Sequence, residues 1–248
     1  MEFGVVLQPN PPATGVVAMM QRAEAAGFTC GWTFDSHVLW QETFVLYPRI
    51  LAETESMIVG PMVTNPGTRD WSVIASMFAT LTDTYGNRMV CGIGRGDSAR
   101  RYIGQPPVSL ATLSSAMSVI KGLAEGREVI HHGQPLRIPW VSPGASLPVW
   151  MAAYGPKALR LVGEQADGLS YRPPTRTSPA GRSARCGRRP PTRAGTQRRS
   201  RCASLPPPTW ALTWRTSANS CAGSAGWWAT TWRTWSRGTA PTARCRAS

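Results

Sequence analysis

The chain has 248 residues and a formal net charge of +14, but its positive charge is confined to one part of the sequence. Residues 1–169 carry 12 Lys and Arg and all 13 acidic residues, whereas residues 170–248 carry 15 Arg, no Lys and no acid. The charge therefore does not predict nucleic-acid or anionic-membrane binding for the first two thirds. Apolar runs fall well short of the ~20 residues of a membrane span, and the N-terminus lacks a signal-peptide pattern, so we expect a cytoplasmic protein.

Short apolar runs, typical of strands, alternate with stretches whose apolar residues recur at helical spacing. In chain order the prediction is strand 3–7, helix 15–26, strand 28–34, strand 57–63, helix 71–85, strand 88–93, helix 110–124, hairpin 127–139, strand 148–154, helix 157–165 and a strand that begins at 166–169. Strands buried on both faces and separated by helices are typical of a parallel α/β sheet. The apolar contexts of Cys30 and Cys91 predict buried thiols rather than a disulfide.

Polar residues collect directly after four of the predicted strands. In a (β/α)8 barrel, the loops that follow the strands converge on one face and build the active site. No G-x-G-x-x-G motif follows the first strand, which disfavours a dinucleotide-binding Rossmann fold. The sequence therefore predicts an α/β fold of the (β/α)8 TIM-barrel type, of which residues 1–169 supply five to six strands.

The predicted hairpin contains the adjacent pair His131 and His132. Such a pair could bind a metal ion, but no carboxylate or third histidine flanks it at ligand spacing. We therefore favour an exposed turn over a ligand role and predict no metal site.

Four motifs, taken together and in this order, resemble the luciferase-like monooxygenase superfamily. They are GWTFDSHVLW (31–40), VGPMVTNP (59–66), YGNRMVCGIGRGDS (85–98) and PVWMAAYGPKAL (148–159). The likeness runs from residue 1 to 169 and is strongest to the branch that uses the deazaflavin coenzyme F420. It implies a barrel of the bacterial-luciferase type and hydride transfer between F420 and a small organic substrate. An FMN-dependent monooxygenase using O2 is the alternative, and a homodimer is a further implication.

The resemblance implies roles for the polar residues after the second strand. His37 would face the reactive edge of the flavin-type ring as proton donor or acceptor, with Asp35 on the cofactor side. The alternative is a histidine that hydrogen-bonds to Asp35 for structure alone. Trp40 is predicted to be either a wall of the substrate pocket or a buried anchor.

The third strand ends in a segment that the resemblance assigns to the back of the ring. Pro61 lacks an N–H for the strand ladder, so the strand must bend there. Relatives carry a non-proline cis peptide at the position of Met62 and Val63. Thr64 and Asn65 would then point toward the ring or its ribityl chain, and a simple turn is the alternative.

Two further loops complete the predicted site. The resemblance places Asp97 near the substrate as a proton donor, while an N-cap role for the following helix is the alternative. Arg95 is predicted to line the substrate pocket, and the loop lacks the GK[ST] ending of a nucleotide triphosphatase. Gly155, Pro156 and Lys157 open a helix and predict a site for the cofactor's phosphate, with a structural cap as the alternative.

Residues 170–248 differ in composition from the rest of the chain, with six Trp and no Ile, Val, Met, Phe or His. Read one base earlier, the codons of Trp227-Trp228-Ala229 necessarily encode Val and then Gly, and residues 170–178 can become IVPPADPDI, which continues a strand into a loop. We interpret this tail as the product of a frameshift near codon 170, poorly ordered and leaving the literal chain inactive. A basic, Trp-bearing tail that stacks on single-stranded nucleic acid is the weaker alternative.

Overall fold

Strands and helices alternate through residues 3–171, which the computed structural model describes together with the backbone of 215–216 and 229–231. The elements are β1 (Gly4–Leu7), α1 (Ala13–Ala25), β2 (Cys30–Thr33), α2 (Thr43–Ala52), β3 (Ile58–Pro61), α3 (Trp71–Tyr85), β4 (Cys91–Ile93), α4 (Asp97–Tyr102), α5 (Leu110–Ala124), β5 (Val129–His131), β6 (Gln134–Leu136), β7 (Val149–Ala152), α6 (Pro156–Gln165), β8 (Gly168–Ser170), β9 (Arg215–Thr216) and β10 (Ala229–Thr231). Apart from residues 170–171, 215–216 and 229–231, the tail to which the frameshift prediction applies lies outside the described residues.

Six of these strands lie side by side and parallel, in the order β1, β2, β3, β4, β7, β8. β1 pairs with β2, β2 with β3, β4 with β7 and β7 with β8. β3 and β4 meet through the parallel bridges Val59–Met89 and Thr64–Ile93. The carboxyl ends of all six strands therefore lie at one edge, as a (β/α)8 barrel requires. The predicted α/β class and the predicted number of strands are confirmed.

The helices cover the outer face of this sheet with fully buried apolar side chains, among them Met20, Ile50, Phe78 and Leu113. Cys30 and Cys91 are buried free thiols, as predicted. A second, inner cluster fills the space that the curved sheet encloses, with Trp32 on β2 and Trp150 on β7 at its centre. Their ring centroids are 5.1 Å apart. This cluster forms the floor beneath the carboxyl ends of the strands.

Backbone lies directly against backbone where β3 passes β4. A Cβ atom on Gly60 would lie 2.2 Å from the carbonyl oxygen of Val90, and one on Gly92 would lie 2.0 Å from that of Pro61. Any side chain at either position would force the two strands apart. The glycines of the motifs VGPMVTNP and CGIG are therefore required for the close approach of these strands.

Helix α2 was not predicted from the sequence, and a helix after Asp97 was considered only as an alternative. α2 contains Pro48, which lacks the N–H of a helix interior, and its first residues are held by the Glu42 side chain, which accepts from the Phe44 N–H at 3.2 Å. α4 has only six residues and begins after Gly96 in the left-handed conformation (φ 80°). A proline in one helix and the shortness of the other remove the periodicity by which helices are recognised.

The predicted hairpin is confirmed as the antiparallel pair β5–β6, closed by a two-residue turn at His132 and Gly133. The expectation of an exposed turn is only half right. His132 is exposed, but His131 is 9% exposed and packs its ring on that of Trp71, with centroids 5.3 Å apart. Residues 136–142 then return along α3, where the Ser142 hydroxyl donates to Asp83 at 2.8 Å. The hairpin therefore lies on the outer side of α3.

The far edge of β1 pairs with β10, which the sequence did not predict. Gly4 and Val5 face Thr230 and Ala229 in antiparallel register, and β9 continues the sheet beyond β10. In a complete (β/α)8 barrel the neighbour of β1 would run parallel to it. None of the helices in the described part of the chain is long and apolar enough to cross a membrane.

Candidate functional site

The predicted site residues follow four neighbouring strands at the edge where their carboxyl ends lie. β3, β4 and β7 approach one another closely here. A Cβ atom on Gly94 would lie 2.8 Å from a Val63 methyl group and 3.4 Å from the Cβ of Ala152. The strands supply the following groups: Asp35 and His37 after β2, Met62 to Asn65 after β3, Arg95 and Asp97 after β4, and Gly155 to Lys157 after β7.

The end of β3 is tied to β4 through its backbone. The Thr64 N–H donates to the Gly92 carbonyl at 2.8 Å, and the Gly94 N–H donates to the Thr64 carbonyl at 2.8 Å. The peptide bond between Met62 and Val63 is cis, as the resemblance implied. Thr64 is thereby fixed against β4, with its side chain fully buried.

Two buried polar atoms at this position have no hydrogen-bond partner among the described residues. They are Thr64 Oγ1 and Asn65 Nδ2. Asn65 Oδ1 accepts from the Gly67 N–H at 3.0 Å, so the predicted turn is present, but the other half of the amide is left over. A buried polar group without a partner costs about 1–3 kcal/mol. The roles of Thr64 and Asn65 toward a cofactor stay predictions, and these two atoms are the observation on which they rest.

Asp35 is engaged by Arg69, a residue that the sequence did not point out. The two residues form a bidentate ion pair with N–O distances of 2.8 and 3.0 Å, and Arg69 also donates to Glu42. Burial by itself lowers the pKa of Arg69, but the Asp35 and Glu42 carboxylates outweigh it and hold that pKa above its usual value. Both Asp35 oxygens accept hydrogen bonds from Arg69. A direct contact between Asp35 and a cofactor stays a prediction.

His37 lies in the exposed turn that follows β2. In the described part of the chain no hydrogen bond joins His37 to Asp35, whose carboxylate is paired with Arg69. Trp40 is half-buried, and its ring centroid lies 6.3 Å from that of Phe34. The loop after β2 thus carries an exposed imidazole and a pair of packed aromatic rings. The catalytic role of His37 and the pocket role of Trp40 stay predictions.

The loop after β4 places its two predicted residues on the surface. Arg95 Nε donates to the Val108 carbonyl at 2.6 Å, which ties this loop to the start of α5. Asp97 is the first residue of α4 and forms an exposed ion pair with Arg101 at 3.5 Å. The N-cap is Gly96, so the alternative of an N-cap role for Asp97 is wrong by one position. The roles of Arg95 in the pocket and of Asp97 as proton donor stay predictions.

The loop after β7 opens α6. Gly155 is the N-cap residue without a side-chain hydrogen bond, Pro156 occupies the first turn, and Lys157 is exposed beside them. The first N–H groups of a helix have no intrahelical partner and attract anions. The start of α6 thus combines backbone donors with one ammonium group, and a phosphate site there stays a prediction.

Comparison with known proteins agrees with this architecture. Residues 1–188 match the family described as luciferase-like monooxygenase. The chain belongs to this family. The match ends 19 residues beyond the point where the sequence resemblance was expected to stop.

Relatives and a solved structure extend the assignment. A 5,10-methylenetetrahydromethanopterin reductase of Archaeoglobus fulgidus is 30% identical over 176 residues, covering 68% of this chain and 52% of the relative. An F420-dependent glucose-6-phosphate dehydrogenase of Nakamurella multipartita is 33% identical over 132 residues, covering 48% and 38%. The structure of the coenzyme F420-dependent tetrahydromethanopterin reductase of Methanopyrus kandleri matches with a TM-score of 0.56 at 26% identity, covering 68% and 55%.

The likeness confirms the predicted family and the barrel of the bacterial-luciferase type. The chain spans about half the length of the curated relatives it matches. The described strands β1 to β4, β7 and β8 supply six parallel strands of such a barrel.

Proposed function

We propose that this chain represents an oxidoreductase that transfers hydride between coenzyme F420 and a small organic substrate. The observation that carries the proposal is the pair of buried polar atoms without described partners, Thr64 Oγ1 and Asn65 Nδ2, at the carboxyl end of β3. It is supported by relatives that are F420-dependent enzymes by name. When bound, a deazaflavin supplies a two-electron hydride donor or acceptor, which amino-acid side chains cannot provide.

The residues present fit such a cofactor at two places. Thr64 and Asn65 offer a hydroxyl and an amide donor to polar groups of the ring or its side chain. Gly155, Pro156 and Lys157 offer the uncapped start of α6 to a phosphate. The apolar inner cluster would exclude water from the side of the site that it lines. These residues would bind and orient the cofactor.

In this proposal, residues of the loops after β2 and β4 transfer the proton and bind the substrate. His37 is exposed at the strand ends, where its imidazole would serve as proton donor or acceptor. Asp97 is the second exposed acid–base group of this edge. Trp40 and Arg95 flank them as candidate walls for a small substrate.

The setting of the enzyme is part of the proposal. We infer a cytoplasmic protein that acts on a small molecule, pairs into a homodimer through barrel helices and has no specific nucleic-acid partner. Light scattering coupled to gel filtration would report the mass of the particle. A monodisperse monomer would contradict the dimer without affecting the cofactor site.

Replacing the Thr64 hydroxyl tests the cofactor site directly. We expect Thr64→Val to weaken F420 binding by about tenfold, the loss of one hydrogen bond of roughly 1.4 kcal/mol. The free energy of unfolding without cofactor should stay equal or rise, because the substitution removes a buried polar atom that has no described partner. Equilibrium binding would follow the change in deazaflavin fluorescence, and urea titration would give the stability.

The matched control is Thr80→Val, which alters an exposed threonine on α3 and should leave F420 affinity unchanged. The same titration with FMN separates the two cofactors. Binding of FMN without F420 would support the monooxygenase alternative. A folded chain that binds neither would contradict the proposed function.

A further inference from the structure

Three metal-ligating side chains from distant parts of the sequence meet at the tip of the β5–β6 hairpin. They are Asp70, His131 and His132, and one ligand atom of each lies within 4.8 Å of the others. His131 Nε2 is 3.5 Å from Asp70 Oδ1, and His132 Nε2 is 3.7 Å from Asp70 Oδ2. None of the three belongs to the cofactor site proposed above. Sequence spacing could not reveal the cluster, because its carboxylate comes from the start of α3.

The buried histidine lacks the hydrogen bond that such a group normally makes. His131 is 9% exposed, and its Nε2 atom has no hydrogen-bond partner among the described residues, although it faces the Asp70 carboxylate. Its ring is held between the Trp71 ring, at 5.3 Å, and the His132 ring, at 4.0 Å. A buried imidazole nitrogen aimed at a carboxylate, with a second imidazole beside it, has the polar partners that a metal ion needs.

The turn is built so that both imidazoles lie on one side. In an extended strand, successive side chains point to opposite faces. His132 instead has φ 50°, a left-handed conformation that is uncommon for residues other than glycine. Gly133 follows with φ 76°. This pair of conformations turns the chain and brings both Nε2 atoms to Asp70.

The carboxylate is oriented before any ion binds. Asp70 is the N-cap of α3, and its Oδ1 accepts from the Ser72 N–H at 2.8 Å and from the Ser72 hydroxyl. Hydrogen bonds of this kind fix the direction of metal-binding carboxylates. Oδ2 is left facing His132.

We propose that Asp70, His131 and His132 bind a zinc ion that fastens the hairpin to the start of α3. Tetrahedral zinc, with bonds of about 2.1 Å, separates neighbouring ligand atoms by roughly 3.4 Å. The two distances from imidazole to carboxylate, 3.5 and 3.7 Å, are close to this value, and all three ligand atoms lie within 4.8 Å of one another. Two imidazoles and one carboxylate suit zinc, whereas calcium and magnesium prefer oxygen ligands alone. Three protein ligands leave the fourth position to water.

Zinc titration of the complete 248-residue chain, free of any purification tag, tests this site. Cysteines elsewhere in the chain could also bind zinc, so the thiols are first alkylated with iodoacetamide. Calorimetry should then give one equivalent of zinc. X-ray absorption at the zinc edge should show nitrogen and oxygen neighbours without sulfur.

Two conservative variants remove ligands and keep the local structure. His132→Asn replaces an imidazole by a residue that tolerates positive φ, and Asp70→Asn retains an N-cap. Each should weaken zinc binding by at least about tenfold. His37→Gln is the matched control and should bind zinc like the parent chain. Full affinity in both ligand variants, or no binding by the folded parent chain, would overturn the proposal.

Discussion

At the scale of single residues, Arg69 links two carboxylates at the edge of the candidate site, although the sequence did not point it out. Its guanidinium joins the carboxylate that follows β2 to the carboxylate that begins α2, and it lies 5.1 Å above the Phe44 ring. The Asp35 side chain is 2% exposed and that of Glu42 is 36% exposed. The two ion pairs of Arg69 therefore differ in the cost of breaking them.

Breaking the buried half of this network should cost far more than breaking the exposed half. We expect Asp35→Asn to lower the free energy of unfolding by about 3 kcal/mol, because it leaves a largely buried guanidinium with one charge partner fewer. Glu42→Gln, the matched control, should cost less than about 1 kcal/mol. Urea unfolding followed by circular dichroism measures both. Equal losses in the two variants would contradict the assigned burial of charge.

The residues of the site were predictable from sequence to different degrees. Thr64, Asn65 and His37 directly follow apolar runs, and a parallel fold requires such residues to gather at one edge. The partners of Asp35 and His131 were not predictable in this way. Arg69 and Asp70 lie far from them in sequence, and no periodicity connects residues that meet only through packing of separate elements.

At the scale of elements, the sequence predicted those strands and helices whose apolar residues follow a clear pattern. The six parallel strands and helices α1, α3, α5 and α6 carry clear apolar periodicity and were predicted, although their ends shift by a few residues. The contact of α1 with the segment before β3 was not predicted. Glu24, in the last turn of α1, accepts from the N–H groups of Glu55, Ser56 and Met57 at 2.9, 2.8 and 2.7 Å.

This contact should make stability depend on pH. Burial raises the pKa of Glu24, but the hydrogen bonds from Ser56, Glu55 and Met57 outweigh it and hold that pKa below its usual value. A depressed folded-state pKa stabilises the protein above the unfolded value of about 4.3, and the effect disappears as the pH falls through the folded pKa. We expect Glu24→Gln to cost about 1 kcal/mol at neutral pH and progressively less at acidic pH.

Urea unfolding of the parent chain and the Glu24→Gln variant across that pH range would test the link between α1 and β3. Glu53→Gln is the matched control, since Glu53 pairs only with the exposed Arg49 one helical turn away, among its described contacts. Its cost should stay near about 0.5 kcal/mol. A Glu24→Gln difference that persists unchanged at low pH would refute the assigned pKa direction.

At the scale of the whole molecule, the described residues form part of a barrel and leave a sheet edge at β8. Closure removes such edges in complete barrels, and open edges promote aggregation. We propose that residues 170–248 derive from a shifted reading frame of the missing half. This accounts for a tail with 15 Arg and no acid after a first part that is nearly neutral.

Restoring the frame near codon 170 should therefore produce a better-behaved protein. We expect the frame-restored chain to aggregate less, to unfold more cooperatively and to bind F420 more tightly than the literal chain. Gel filtration, thermal unfolding and fluorescence titration of the two chains make the comparison. The coding DNA supplies an independent check, because a shifted frame that soon meets a stop codon would disprove the hypothesis.

The antiparallel pairing of β10 with β1 has a consequence for the shape of the rim. A strand that runs with its neighbours delivers its last carbonyl groups, and the loop that follows, to the mouth of the barrel. β10 runs the other way, so its first residue, Ala229, lies toward the mouth and its last, Thr231, toward the opposite end. Beside β1, the mouth therefore holds the start of a strand. At the six parallel strands β1 to β4, β7 and β8, it holds the end of a strand. A ligand at the mouth would therefore meet the loops that follow β2, β3, β4 and β7, whereas beside β1 it would meet the residues that lead into β10.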